Sequence, residues 1–128
     1  MEQKTAALQV TEKDSYVILG FSGHLQYGSM EELKKRLQSI LQKEDSSFIL
    51  DMSKVQNIDS TGFGLIVNFA KKVSLKKEKI VIIIVDDFVR KLFSISQCDR
   101  IFPIVDSEAA AFKMLQHHVE TELTVDEY

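Results

Sequence analysis

The sequence predicts an α/β domain built on a mostly parallel β-sheet, and three observations predict it. After an N-terminal pair of strands, apolar runs alternate with segments of helical periodicity. Repeated strand–helix–strand units require a parallel sheet with right-handed crossovers. The run Ile80-Val81-Ile82-Ile83-Ile84-Val85 carries no polar residue, so it reads as a strand buried on both faces. The chain of 128 residues has the size of one domain and can bury a real core.

The elements follow in order. Ala6 to Thr11 and Tyr16 to Phe21 read as strands, and the short polar turn between them makes an antiparallel hairpin. Gly23 to Gly28 reads as a loop. Ser29, with Glu32 three residues on, is a capping box for the first helix. Met30, Leu33, Leu37, Ile40 and Leu41 give that helix one apolar stripe. Phe48 to Met52 is the third strand, and a short polar loop follows it. The next helix runs from Thr61 to about Val73, with apolar residues around most of its circumference. After the Ile80–Val85 strand, Asp86 and Asp87 cap a helix whose Phe88, Val89, Leu92 and Phe93 face inward. Ile101 to Val105 is the last strand. Pro103 cannot donate to a ladder, which puts that strand at an edge. Asp106-Ser107 caps a final helix from Glu108 to about Val119. The domain therefore covers residues 1–119, with about four helices, and residues 120–128 form a frayed acidic tail.

Composition excludes several function classes. Hydrophobic residues make up 45% of the chain and charged residues 27%, an ordinary soluble composition. The net charge is −3, and no stretch gathers Lys and Arg into a nucleic-acid footprint. Lys71, Lys72, Lys76, Lys77 and Lys79 read as the solvated end of a helix and the loop after it. Cys98 stands alone, which leaves no intramolecular disulfide and no multi-cysteine metal site. The first residues lack the apolar core of a signal peptide, and no apolar run approaches the ~18 residues of a membrane span. The expectation is a cytoplasmic protein with no membrane insertion.

The chemistry concentrates at Asp59-Ser60-Thr61-Gly62, where a strand gives way to a helix. Free backbone N–H groups and a partial positive charge at a helix N-terminus tolerate added negative charge, which suits a phosphorylatable serine. Ser and Thr are also preferred N-caps, so on local physics alone capping is the first explanation of the hydroxyls. Gly62 and Gly64 fall in the first helical turns, where each costs about 1 kcal/mol against Ala. Something approaches the backbone there, either a partner surface or the domain's own sheet.

Catalysis is poorly supported. A serine hydrolase needs a base within hydrogen-bond reach of Ser60, and His24 is the candidate. His117 and His118 lie near the tail. Asp86-Asp87 is a tight carboxylate pair, with no His or Cys cluster to complete a metal site. Ile83-Ile84-Val85-Asp86-Asp87 also looks like the Val-Asp-Asp of phospho-acceptor receiver domains, but too little chain follows to complete that fold. Gly62-Phe63-Gly64 meets neither nucleotide fingerprint. No cofactor and no catalytic residue are expected.

Leu50-Asp51-Met52-Ser53-Lys54-Val55-Gln56-Asn57-Ile58-Asp59-Ser60-Thr61-Gly62-Phe63-Gly64 closely resembles the signature of STAS domains of the anti-sigma factor antagonist type. The resemblance covers nearly the whole chain, including Val89-Arg90-Lys91-Leu92-Phe93 and the short strand after it. It implies a single STAS domain that switches partners. In that family the unphosphorylated protein binds an anti-sigma factor that is also a serine kinase, and the sigma factor is freed. The resemblance places the phosphorylation site at Ser60, with Thr61 as the lesser acceptor, and a metal-dependent PP2C-type phosphatase restores the binding form. Gln26, Tyr27, Asp59, Thr61, Gly62 and Phe63 are the implied partner-binding positions. Two of these depart from the family: Gln26 stands where Asp is usual, and Phe63 where Leu is common. The loss of charge at Gln26 motivates an alternative, a non-switching STAS scaffold or a subunit of a stress-signalling or lipid-transport complex.

Overall fold

In the computed structural model, which describes residues 5–28, 30–43 and 46–116, five strands lie side by side in chain order. They are β1 (Ala6–Glu12), β2 (Tyr16–Leu25), β3 (Ser47–Ile58), β4 (Ile80–Ile83) and β5 (Ile104–Val105). The β1–β2 pair is antiparallel, and the other three pairings are parallel. Helices α1 (Glu31–Ile40), α2 (Ser60–Leu75) and α3 (Asp87–Ile95) connect the parallel strands. A 3-10 turn at Cys98–Arg100 precedes β5, and a helix α4 covers residues 108–116. The α/β reading, with one antiparallel strand on a parallel sheet, is what the structure has.

The sheet is buried on both faces, and β4 shows how. Ile80, Ile82 and Ile84 belong to the large core beneath α1, α2 and α3. Val81 and Ile83 belong to a smaller core, where Ala111 and Leu115 of α4 cover the other face with Ile18 and Ile49. A strand that feeds two cores has no polar face to show, which is why its sequence lacks alternation. The edges are handled separately. The Arg36 guanidinium, from α1, donates to the carbonyl of Leu8 at 2.7 Å and blocks part of the β1 edge. On the far side β5 has two residues, and Pro103 beside it contributes only its carbonyl, accepting from Ile82 N–H at 2.9 Å.

Several expectations need correction. The stretch from Gly23 is not a loop: β2 runs on to Leu25, so only residues 26–28 turn. The expected polar loop after Met52 is strand as well, because β3 continues to Ile58. Pairs Ser22↔Lys54, His24↔Asn57 and Leu25↔Ile58 hold this extension, and two register shifts interrupt it. Each bulge slips the side-chain alternation, which hides the strand from a period-two reading. The last strand is shorter than expected. Phe102 leaves the ladder and is buried in the core, while Ile101 is 57% exposed. Phe88 does not face inward: it is 60% exposed, whereas Val89 and Phe93 are buried. Helix α2 begins one residue before Thr61 and ends at Leu75. The capping serine of α1, Ser29, lies outside the described residues, as do the end of the last helix and the acidic tail. Met30 occupies the α1 N-cap position without a side-chain cap.

Helix α2 ends in a Schellman arrangement. Glu78 N–H donates to Val73 O at 3.2 Å, and Lys77 N–H to Ser74 O at 3.0 Å. This places Lys77 in the left-handed region, with φ 62°. A side chain costs roughly 1–2 kcal/mol there, and glycine's extra freedom in the unfolded chain offsets part of the gain from removing it. Lys77→Gly is expected to stabilise the domain by about 0.5–1 kcal/mol. Urea unfolding checks this, with a higher midpoint at unchanged slope expected and a lower midpoint against it.

Candidate functional site

The site is built where the extended ends of β2 and β3 meet α2. Asp59 has extended backbone, with φ −109° and ψ −175°, and sits at the N-cap of α2. Its Oδ1 accepts from Gly62 N–H at 2.9 Å, and its Oδ2 accepts from Tyr27 N–H at 2.9 Å. Its own N–H donates to Leu25 O at 3.1 Å, and its carbonyl accepts the first helical bond, from Phe63 N–H at 2.8 Å. One carboxylate therefore caps the helix and also pins the turn after β2. The Tyr27 N–H, then the Gly62 N–H, hold the Asp59 carboxyl below its ordinary value of 3.8.

This geometry divides the two glycines. A Cβ on Gly62 would stand 1.9 Å from the Leu25 carbonyl oxygen and 2.7 Å from its carbon. No side chain fits, so Gly62 is required by the domain's own packing. A Cβ on Gly64 would meet nothing within 4 Å. Nothing among the described residues accounts for glycine at that position.

The hydroxyls are not caps. Asp59 does that work, and among the described residues neither Ser60 nor Thr61 makes a side-chain hydrogen bond. Both are exposed on the first turn of α2. Tyr27 is 84% exposed and uses only its backbone in the clasp. Gln26 is half-buried between β2 and Tyr27. Phe63 is half-buried too, with its ring edge-on to Phe93 at a centroid distance of 5.0 Å. It bridges α2 to α3, and part of it remains accessible. The structure thus brings Tyr27, Asp59 and Gly62 into direct contact, with Ser60 and Thr61 beside them.

His24 is engaged by β3. Its Nδ1 accepts from the Asn57 side-chain amide at 2.8 Å, across the β2–β3 extension. Asp86 behaves as a cap, with Oδ2 accepting from Val89 N–H at 3.0 Å. Among the described residues no group of three or more His, Cys, Asp or Glu could hold a metal ion. Nor is any described helix long and apolar enough to cross a membrane. Sequence reasoning missed Leu25, whose backbone takes the approach of Gly62 and the N–H of Asp59. The signal for it was the glycine three residues after an Asp cap.

The sign of the Asp59 effect on stability follows from its lowered carboxyl. A depressed folded-state value contributes stability that is present above the unfolded value and lost as pH falls through the folded one. Asp59→Asn removes that contribution. Between pH 7 and pH 3 the parent protein is expected to lose more of its urea midpoint than Asp59→Asn, and parallel losses would count against the clasp.

Comparison with known proteins agrees with this architecture. The STAS domain family model matches residues 7–111. The chain is 28% identical over 109 residues to BtrV of Bordetella bronchiseptica, provisionally named an anti-sigma factor antagonist; the match covers 83% of this chain and 94% of BtrV. It is 26% identical over 101 residues to the anti-sigma F factor antagonist of Paenibacillus polymyxa, covering 78% of this chain and 86% of the relative. The solved structure of the Bacillus cell fate determinant SpoIIAA in its phosphorylated form superposes with a TM-score of 0.68 at 16% identity, over 85% of this chain and 99% of that one. At that identity the likeness is one of fold. With the family model spanning sheet, clasp and helices, the chain belongs to the STAS domain family.

Proposed function

We propose that this STAS domain is an anti-sigma factor antagonist that works by partner switching. The unphosphorylated form binds an anti-sigma factor that is also a serine kinase, and this binding frees the sigma factor. Phosphorylation of Ser60 ends the binding, and a PP2C-type phosphatase restores it. The protein acts in the cytoplasm as a binding regulator, without catalysis or cofactor of its own. The names of the two curated relatives support the antagonist role.

One observation carries the switch: Ser60 is exposed at the start of α2, and the cap it would otherwise provide is supplied by Asp59. A hydroxyl without a structural duty is open to a kinase. A phosphate there adds about −1.5 to −2 charges beside the Asp59 carboxylate. The α2 N-terminus offsets part of that charge within the domain. At a docking surface built from Tyr27, Thr61, Phe63 and the Gln26 turn, the same charge meets desolvation and repulsion. Thr61 is the lesser acceptor, exposed on the same turn.

Gln26 favours a second reading, a non-switching STAS scaffold or a subunit of a stress-signalling or lipid-transport complex, because the charge usual at its position is missing. One experiment separates the two. Ser60→Ala and Ser60→Asp variants are titrated against the kinase partner encoded by the same host. Switching predicts at least tenfold weaker binding for Ser60→Asp than for Ser60→Ala. Equal affinities would leave the scaffold reading in place.

A further inference from the structure

Two features near the clasp have no explanation inside the domain. Gly64 is exposed, sits inside a helix, and has open space where a Cβ would go. Glycine in a helix interior is unfavourable, and no neighbour among the described residues requires it. It lies four residues after Ser60, on the same helical face. The second feature is on α3. Phe88 is 60% exposed, Ile95 is 71% exposed, and Leu92 between them is partly buried against the core. Spacings of four and three place these residues on one stripe, the pattern by which a helix presents a seam to another helix. The Phe63–Phe93 contact, at 5.0 Å, joins the first turn of α2 to the helix that carries the stripe.

We infer that an acidic amphipathic helix of the partner protein docks here, crossing α2 at Gly64 and packing on Phe88, Leu92 and Ile95. A bare glycine lets the backbone of a crossing helix approach closely, where a methyl group would hold it away. The heptad-like seam selects a helix rather than a strand or loop, because only a helix repeats its apolar face at that spacing. The acidic character follows from the flanks. Lys71 is exposed seven residues after Gly64 on the same face of α2, and exposed Lys91 lies on the face of α3 that bears the seam. Carboxylates on the docked helix complement both. The inference rests on Ser60 as the centre of the docking surface, and extends that surface to α3.

The test uses the full chain in its host, with the photocrosslinking residue p-benzoylphenylalanine in place of Tyr27 or of Phe88. Both positions are expected to give an adduct with the same polypeptide, and the Phe88 adduct is expected to map to an acidic amphipathic helix of it. Gly64→Ala is expected to cut both adducts at least tenfold while raising the urea midpoint of the purified chain, so that lost binding cannot be lost folding. Adducts unchanged in Gly64→Ala would overturn the inference. So would a Phe88 adduct with a second copy of this chain, with a different polypeptide, or with nothing. The two readings can fail separately. If Ser60→Asp removes the Tyr27 adduct while Phe88 gives none, switching stands and the α3 site falls. If Gly64→Ala removes both adducts while Ser60→Asp removes neither, the helix site stands and the switch falls.

Discussion

The carboxylate of Asp59 holds together the parts on which the site depends. It takes the N–H of Gly62 on one oxygen and that of Tyr27 on the other. Without it, α2 would lose its cap and the turn after β2 would lose its anchor. A capping side chain is commonly worth about 1 kcal/mol, and this one serves two segments 32 residues apart in sequence. The clasp also fixes the chemistry left over. Because Asp59 satisfies the helix, the hydroxyls of Ser60 and Thr61 face solvent without a structural task.

The clasp is possible because β2 and β3 outrun the rest of the sheet. Strand β3 continues seven residues past Asp51, the last residue it pairs with β4. The β2 extension follows it, and carries Leu25 to where Gly62 must pass. Leu25 is fully buried, so the backbone that receives Gly62 is fixed by the core beneath it. Rigidity therefore reaches the site from the large core through a side chain that makes no functional contact. The face covered by α4 contributes little to this end of the molecule, since its cluster centres on Ile18, Ile49, Val81 and Ile83.

The fold class was readable because its signals are local and redundant. The Ile80–Ile84 run, the amphipathic helices and the Asp86 cap each pointed to one element. The strand extensions were not readable, because polar residues and bulges at Gly20/Ser22 and Gly23/His24 break the alternation that identifies a strand. Phe88 misled for a different reason. Helical spacing alone does not say which apolar residues of a short helix face the core, and here Val89 and Phe93 do. At the site, composition announced a helix N-terminus but left the choice among Asp59, Ser60 and Thr61 as cap. That choice depends on the position of Tyr27, which is far away in sequence. Likewise, Gly62 and Gly64 look equivalent in the chain. Only the placement of Leu25 shows that one is demanded from within and the other is not.

The proposed switching asks for a surface that is fixed in shape and variable in charge. The clasp fixes the turn and the helix start, and phosphorylation of the exposed Ser60 would vary the charge. The direct measurement is phosphopeptide mass spectrometry of the protein from its native host, in growing and in stressed cells. A phosphate on Ser60 whose occupancy changes between the two conditions is the predicted result. A Ser60 that stays unmodified in both would contradict switching and leave Ser60 as an ordinary surface residue of a STAS scaffold.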